Sequence, residues 1–326
     1  MAEPTTTPAA PVQAEAGTGA VAAVRRKRRY SLLTRHDKLI LGLMVGVPLA
    51  LDLILIWAPA MASVGISFTN WSGIGPITSD NFVGVRNYQV LFGSYIFFRP
   101  ALAHNLIWLA FLTLISTPFG MFLAVLLDRE MRGTRVYQSI FFLPVVLALV
   151  VVGFIWELQY APQEGFINNA LGLTKSGGHI IDWLGNPNIN LFAALVAASW
   201  RHVGYIMVLY LAGLKSVDPT LREAAAIDGA NQRQTFFRVV FPVMAPINVI
   251  IVVVTIIESL RAFDIAYIIN RGKNGLELLS TLITNNSISE ASLVGFGSAI
   301  AVVLLVISLV PIVLYLSRVM RDMTTT

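Results

Sequence analysis

The chain has 326 residues, of which 56% are hydrophobic and 13% are charged, and its formal net charge is +5. Soluble domains carry about 25% charged residues, so this composition excludes an ordinary soluble protein and predicts a membrane protein with several spans. The chain has no cysteine, which excludes disulfides, zinc–thiolate sites and a cysteine nucleophile.

Residues 1–38 are predicted to form a cytoplasmic tail. Residues 1–24 are rich in Ala, Pro, Thr and Glu, and this composition buries too little apolar surface to fold, so we expect disorder. The basic cluster at residues 25–29 precedes the first apolar run, where such clusters anchor a chain on the inner side of a membrane. We therefore expect a membrane anchor, no nucleic-acid partner and no cleaved signal peptide.

Six apolar runs follow, and each has about the 20 residues that cross a bilayer as a helix. They are residues 39–60, 102–127, 139–158, 191–214, 243–263 and 296–316. The predicted fold is an all-α polytopic membrane protein with six transmembrane helices. In domain terms, residues 39–101 supply the first helix and an outer loop, residues 102–317 supply a core of five helices, and residues 318–326 form a cytoplasmic tail.

Lysine and arginine residues predict the orientation of the chain. Of the 23 Lys and Arg residues, 16 lie in segments that are inside if the N-terminus is cytoplasmic, and 5 lie in the outer loops. Arg201 and Arg261 fall at or inside spans. Because inner loops are enriched in Lys and Arg, this bias predicts that both termini and the polar interval 215–240 face the cytoplasm of a cell-membrane protein.

The interval 215–240 contains the run Glu223-Ala224-Ala225-Ala226-Ile227-Asp228-Gly229-Ala230. Asp218 is an N-cap candidate, and proline follows it at the first helical position, so a short helix is predicted over residues 219–227. Gly229 predicts its end, because glycine tolerates the positive φ of a helix stop. A second short helix is predicted from Asn231 to Val239. Composition alone leaves an ordinary loop as an equal alternative.

The spacing of this run, with Phe236, Val240, Pro242 and Pro246 after it, resembles the EAA loop of ABC-importer permeases. Further residues are similar to the carbohydrate-uptake permeases of the maltose and multiple-sugar type, in particular the partner with the longer N-terminus. They are Ser67-Phe68-Thr69-Asn70-Trp71, Phe82-Val83-Gly84-Val85-Arg86-Asn87-Tyr88, Phe141-Phe142-Leu143-Pro144, Trp156, Gly165, Asn168, Trp200, Gly204, Ala212-Gly213-Leu214, Pro219 and Phe263-Asp264. The resemblance covers roughly residues 40–318. It departs at residues 271–275, where the family often has a Gly-Gly-Pro turn.

The resemblance implies the ABC type-1 importer permease fold with a cytoplasmic coupling helix-turn-helix at residues 215–240. Within it, Glu223 would make a polar contact to an ATPase subunit, and Ala224 with Ala225 would form a close-packing face. Gly229 would form the turn, and Asp228 is expected to cap the second helix. The implied partners are a second homologous permease, two cytoplasmic ATPase subunits, an extracytoplasmic solute-binding protein, a sugar and the lipid bilayer.

Polar and aromatic residues near the spans are candidates for the substrate pathway, because sugars are held by aromatic faces and hydrogen-bonding groups. The candidates are Asn105, Trp200, Tyr205, Asn248, Phe263 and Asp264. Aromatic residues at span ends also form interfacial belts, so this alternative stays open. Glu258 and Arg261 are three residues apart and are expected to pair on a helix. Arg201 is expected at the outer end of the fourth span, reaching the interface.

The chain lacks a Walker A pattern, so ATP hydrolysis would belong to partner ATPase subunits and this chain would be a transport subunit, not an enzyme, with no cofactor. The resemblance implies that the chain forms half of a translocation pathway for a sugar, with di- and oligosaccharides as the favoured class, coupled to a separate ATPase. Alternatives are a permease for glycerol phosphate or another polar solute, or an ion-coupled secondary carrier, which usually has more spans. A membrane enzyme is disfavoured, because the four histidines are scattered: His36, His104, His179 and His202.

Overall fold

A computed structural model describes residues 34–129, 132–174, 178–289 and 292–325. The disorder expected over residues 1–24 and the basic cluster at 25–29 lie outside these ranges. By compactness the chain divides into two units, Met1–Ile56 and Trp57–Thr326.

The described part of the first unit is helix α1 (Arg35–Asp52) and the beginning of a wider π-helical turn at Leu53–Trp57. Thr34 caps α1, because its hydroxyl accepts the amide of Asp37 at 3.2 Å and its own amide donates to the Asp37 carboxylate at 2.8 Å. The apolar side chains of α1 are exposed all round. Such a surface is suited to lipid rather than to water.

The second unit is built from short and long helices joined by loops. They are α2 (Ala58–Ile66), α3 (Arg86–Gly93), α4 (Phe98–Phe111), α5 (Thr117–Leu127), α6 (Thr134–Val146), α7 (Leu149–Gln159), α8 (Phe166–Ala170), α9 (Asn190–Ser216), α10 (Pro219–Ile227), α11 (Gln232–Thr235), α12 (Phe241–Val243), α13 (Ala245–Leu260), α14 (Asp264–Asn270), α15 (Leu279–Thr284) and α16 (Val294–Thr325). π-Helical turns occur at Leu112–Ser116, Phe236–Val240 and Asn285–Ser289, and a 3₁₀ turn occurs at Ser79–Asn81. An isolated antiparallel bridge joins Thr69 to Phe82.

Within the described ranges, four continuous helices are long and apolar enough to cross a membrane: His36–Ile66, Phe98–Leu127, Asn190–Ser216 and Val294–Ser317. Two bent pairs bring the number to six when each pair is counted as one span. The pairs are Thr134–Val146 with Leu149–Gln159, and Gln232–Val243 with Ala245–Asn270. The prediction of an all-α protein with six spans is confirmed on this basis, and the third and fifth spans are broken rather than straight.

The break in the third span follows a proline. Pro144 lies in the last turn of α6, and α6 and α7 meet at an angle of 101°. Leu147 and Ala148 between them are extended, with ψ of 140° and 141°. Proline removes a helical hydrogen bond and clashes with the preceding turn, so a sharp bend near Pro144 has a local cause.

Helices α5 and α9 pack closely, and glycine permits the approach. A Cβ at Gly120 would lie 2.9 Å from the Ile206 side chain and 3.0 Å from the Val203 carbonyl oxygen. A hydrophobic core surrounds this crossing. Its buried members are Leu123, Ala124, Leu127, Val203, Ile206, Met207, Tyr210, Leu211, Leu214, Val217, Val240, Met244 and Ile251. Small residues at membrane helix crossings allow such backbone contact, so α5 and α9 form one packed pair.

Two further cores occupy the rest of the second unit. One gathers around Trp108 on α4, Leu195 on α9 and Ile265 on α14. The other contains Leu91 on α3 and Phe296 on α16. The first of these clusters packs α4 and α14 against α9.

We predict opposite effects of the same substitution at two glycines. A Cβ at Gly204 would overlap the carbonyl oxygen of Phe141 on α6, so Gly204→Ala forces α6 and α9 apart and should cost about 1–3 kcal/mol. Around Gly42 on α1, no described atom lies within 4 Å of a built Cβ, so Gly42→Ala should be neutral or stabilising by up to about 1 kcal/mol. Thermal melting of both purified variants in detergent measures the difference. Equal melting temperatures for the two variants would contradict the packing described here.

Candidate functional site

The first helix of the 215–240 interval begins at a capped residue. Asp218 is the N-cap of α10, and its carboxylate accepts the amide of Thr220 at 2.9 Å. This hydrogen bond lowers the pKa of Asp218 below its ordinary value. Pro219 occupies the first helical position, as predicted from the sequence, because a proline there gives up no helical hydrogen bond.

The helix ends in a Schellman motif, the hydrogen-bond pattern in which the last carbonyls of a helix are satisfied from beyond its end. Gly229 has a φ of +79°, its amide donates to Ala226 at 3.1 Å, and the amide of Ala230 donates to Ala225 at 2.9 Å. Glycine adopts this left-handed conformation without a Cβ penalty. The predicted turn at Gly229 is therefore confirmed in its geometry.

The second helix is capped by a different residue from the one expected. Asn231 accepts the amide of Gln234 at 2.9 Å, and the Gln234 side chain accepts the amide of Asn231 at 2.8 Å. Asp228 instead ends α10 as its C-cap, so the prediction that Asp228 caps the second helix is wrong. The competing signal was the capping box, in which the cap and the residue three positions later exchange hydrogen bonds. The chain then continues through the π-helical turn Phe236–Val240. We call residues 218–240 the hairpin.

The hairpin presents a mixed surface. Glu223, Ala224 and Ala226 are exposed, whereas Ala225 is buried, with 7% exposure. Ala225 therefore does not contribute to the free surface of the hairpin. Ile227 is 86% exposed, and sequence reasoning missed it. An isoleucine within a polar interval was the signal that could have identified it.

Two arginines attach the hairpin to neighbouring elements. Arg222 on α10 forms an ion pair with Asp128 at 2.8 Å and donates to the Leu214 carbonyl at 3.1 Å. Arg129 donates to Gln232 on α11 at 2.9 Å. The contacts with Asp128 and Gln232 were not predicted, because their partners are 94 and 103 residues apart in the chain.

A pocket of about 340 Å³ lies between α4, α9, α13 and the start of α14. Charged and aromatic side chains face it together. The polar lining residues are Arg201, His202, Glu258, Arg261 and Asp264, and the aromatic ones are Trp108 and Phe263. Of the six predicted pathway residues, Phe263 and Asp264 line this pocket.

Glu258 pairs with residues of another helix. Its carboxylate lies 3.4 Å from the guanidinium of Arg201 and 3.6 Å from Nδ1 of His202, both on α9. The expected pair with Arg261 is not found among the ion pairs of the described residues. Arg201 lies near the middle of the 27-residue helix α9, so its expected position at the outer end of the span is also wrong. Pairing with Glu258 explains how an arginine is accommodated at this depth.

Hydroxyl groups extend this polar cluster towards α5. Nε2 of His202 lies 3.4 Å from the hydroxyls of both Thr117 and Thr255. Ser116 and Ser199 share a hydrogen bond of 2.6 Å beside them. His202 is 1% exposed, so the cluster is an interior feature that ties α5, α9 and α13 together.

The other predicted pathway residues lie outside the pocket lining. Asn105 is fully buried, and its amide oxygen accepts the Leu279 amide at 2.9 Å while its nitrogen faces the Ser259 carbonyl at 3.4 Å. Asn248 donates to the Phe241 carbonyl at 3.0 Å beside the bend in the fifth span. These hydrogen bonds give both asparagine side chains a structural role.

Two aromatic candidates also lie away from the pocket. Trp200 packs edge-on against Trp156, with ring centroids 6.0 Å apart, and remains 38% exposed. Tyr205 is half-buried against the core around α5 and α9. A pathway role for these two residues and for the two asparagines stays a prediction.

Comparison with known proteins supports a single family. The binding-protein-dependent transport system inner membrane component family matches residues 116–322. The xylose/arabinose import permease protein XacH of Haloferax volcanii is 34% identical over 268 residues, which cover 81% of this chain and 83% of that protein. The osmoprotective compounds uptake permease protein GgtC of Synechocystis is 32% identical over 262 residues, covering 78% and 90%.

A relative with more remote similarity and a solved structure agree with this result. The trehalose/maltose transport system permease protein MalF of Thermococcus litoralis is 28% identical over 286 residues, covering 86% of this chain and 95% of that protein. A chain of a bacterial ABC transporter that imports the acidic polysaccharide alginate superposes with a TM-score of 0.74 at 20% identity, covering 88% of this chain and 96% of that chain. This chain therefore belongs to the family of binding-protein-dependent transport system inner membrane components.

Proposed function

We propose that the chain is the permease subunit of an ATP-binding-cassette importer for a neutral sugar, and that it forms half of the translocation pathway. The sugar assignment rests on the solutes that related permeases transport. The relatives include permeases for xylose and arabinose, arabinooligosaccharides, and trehalose and maltose. The pocket between α9 and α13 supplies a physical reason for neutrality.

Formal charges in the pocket cancel. Arg201 and Arg261 are balanced by Glu258 and Asp264, with His202 counted as neutral. An anionic solute would need an unbalanced cation there, because an isolated charge is costly in a low-dielectric site. Phe263 adds an aromatic face that stacks on Tyr267 at 4.9 Å. The pocket therefore favours a neutral polyhydroxylated solute over glycerol phosphate, the main alternative.

The energy source in this proposal is a separate pair of ATPase subunits. The sequence contains no Walker A pattern, so nucleotide would bind to partner chains and this subunit would not be an enzyme.

The hairpin is the proposed contact with these ATPase subunits, with Glu223, Ala224 and Ile227 on its exposed surface. Asp228 and Gly229 shape the turn, and Ala225 supports it from within. The excess of Lys and Arg in the inner segments supports a cytoplasmic position for this hairpin and both termini.

The remaining partners follow from the same proposal. A second homologous permease would complete the pathway, and an extracytoplasmic binding protein would deliver the sugar, in keeping with the binding-protein-dependent family. In this proposal residues 39–101 supply the first transmembrane helix and an outer loop, and residues 102–317 supply the transport core of five helices. An ion-coupled secondary carrier is the competing function, and uptake driven by an ion gradient without an ATPase would favour it.

The sugar assignment is tested by uptake. Cells with and without this chain are compared for uptake of labelled xylose, arabinose, arabinooligosaccharide, maltose and trehalose. We expect at least one of these neutral sugars to enter only when the chain is present, with glycerol 3-phosphate failing to compete in excess. Competition by glycerol 3-phosphate, or equal uptake of every sugar by both strains, would count against a neutral-sugar permease.

The coupling assignment is tested at Ile227. Replacing this exposed residue with aspartate in Ile227→Asp should reduce co-purification of the ATPase about tenfold, since loss of a central apolar contact costs about 1.4 kcal/mol or more. Ile74 is a matched control, because it is 82% exposed but lies in the predicted outer loop. Ile74→Asp should leave ATPase recovery unchanged. Equal recovery of the ATPase with both variants would contradict the proposed contact.

The turn is tested by two substitutions at Gly229. Valine is poorly tolerated at a φ of +79°, where a left-handed conformation costs about 1–2 kcal/mol, whereas asparagine visits this region more readily. Uptake should therefore be lost in Gly229→Val and partly retained in Gly229→Asn, with both proteins inserted in the membrane. Indistinguishable uptake rates for the two variants would show that the turn geometry is unimportant.

A further inference from the structure

Arg222 connects the hairpin to the ends of two membrane helices. Its Nη1 lies 2.8 Å from Oδ2 of Asp128, the residue that follows α5, and its Nη2 donates to the carbonyl of Leu214 in the last turn of α9 at 3.1 Å. One planar guanidinium thus joins α10, α5 and α9. Lysine has no such fork of donors.

The location strengthens this contact. The C-terminal end of a helix carries a partial negative charge and unsatisfied carbonyls, so a cation is favoured there. Arg222 lies at two such ends together. The side chain of Asp128 is 16% exposed and that of Arg222 is 37% exposed. This pair is therefore more shielded from solvent than the open surface pairs that contribute little to stability.

The elements that Arg222 joins are themselves closely packed. Gly120 brings α5 against Ile206 of α9, and Leu127 and Leu214 are both buried at the same end of this pair. A second bond, from Arg129 to Gln232 on α11, links the segment after α5 to the other helix of the hairpin at 2.9 Å. Displacement of the hairpin would therefore move the end of α5 as well as the spans that the hairpin directly connects.

We propose that Arg222 and Asp128 are positioning residues that form a strut between the hairpin and the second span. The inference rests on the proposed coupling function and assigns a route for it. When the ATPase displaces α10, the strut makes α5 move with α10 and α9 as one body. Helix α5 is not adjacent to the hairpin in the sequence, so the ion pair supplies a direct side-chain connection between α5 and α10, beside the Arg129–Gln232 bond to α11.

The test uses the complex purified through this chain with its ATPase subunits, in lipid nanodiscs. The native chain has no cysteine, so Phe122→Cys on α5 and Leu221→Cys on α10 can carry spin labels at positions that are 54% and 39% exposed. Electron paramagnetic resonance compares the distance between the labels without nucleotide and after trapping with ATP and vanadate. We expect the same mean distance and width in both states when Asp128 and Arg222 are intact.

Variants of Asp128 then show whether the ion pair is responsible. In Asp128→Asn the distance distribution should broaden and should shift on trapping with ATP and vanadate. Asp128→Glu keeps the charge and should restore the native behaviour. Lys215→Gln, which removes an exposed cation at the end of α9, is the control and should behave as the native chain.

These measurements test the strut independently of the proposed contact between the hairpin and the ATPase. A shift in label distance in the chain with both residues intact overturns the strut, even if no Asp128 variant can be purified. An unchanged, narrow distribution in Asp128→Asn also overturns it. Neither result affects the proposed ATPase contact, because the Ile227 comparison measures that contact independently.

Discussion

The close crossing of α5 and α9 is the contact on which the rest of the structure depends. Gly120 permits it by allowing Ile206 to approach the α5 backbone. Helix α9 carries Arg201 and His202 into the pocket, and the carbonyl of Leu214 in its last turn accepts a hydrogen bond from Arg222 of the hairpin. A displacement of α9 relative to α5 would therefore alter the pocket and the hairpin attachment together, which links the proposed solute site to the proposed site of energy input.

A second constraint acts on the charged side chains of the membrane-spanning helices, because each of them needs an opposite charge or a polar cavity beside it. Glu258 on α13 pairs with Arg201 and His202 on α9, and all three residues line the pocket. These residues hold α9 to α13. In the proposed function they would also form a charge-balanced wall along the path of a solute.

Local signals were predictable from the sequence, whereas contacts between distant residues were not. Asp218, Pro219 and Gly229 specified the ends of α10, because capping and positive φ depend on a few adjacent residues. The pairing of Glu258 was mispredicted, since helical spacing favoured Arg261 and only the packing of α9 brings Arg201 close. The residue type of Asn105 predicted a solute ligand, whereas the hydrogen bond that its amide oxygen accepts from Leu279 depends on the packing of segments 174 residues apart. The six apolar runs indicated the spans, but the angles within the third and fifth required the structure.

The central claim is that this hairpin receives mechanical energy from an ATPase on the cytoplasmic side. A photo-activated cross-linker at Ile227, introduced in living cells, tests it most directly. The account predicts a cross-linked product that contains the ATP-binding subunit, and no such product from the same cross-linker at Ile74. A cross-link from Ile227 to an extracytoplasmic protein, with the ATPase absent from every product, would contradict it.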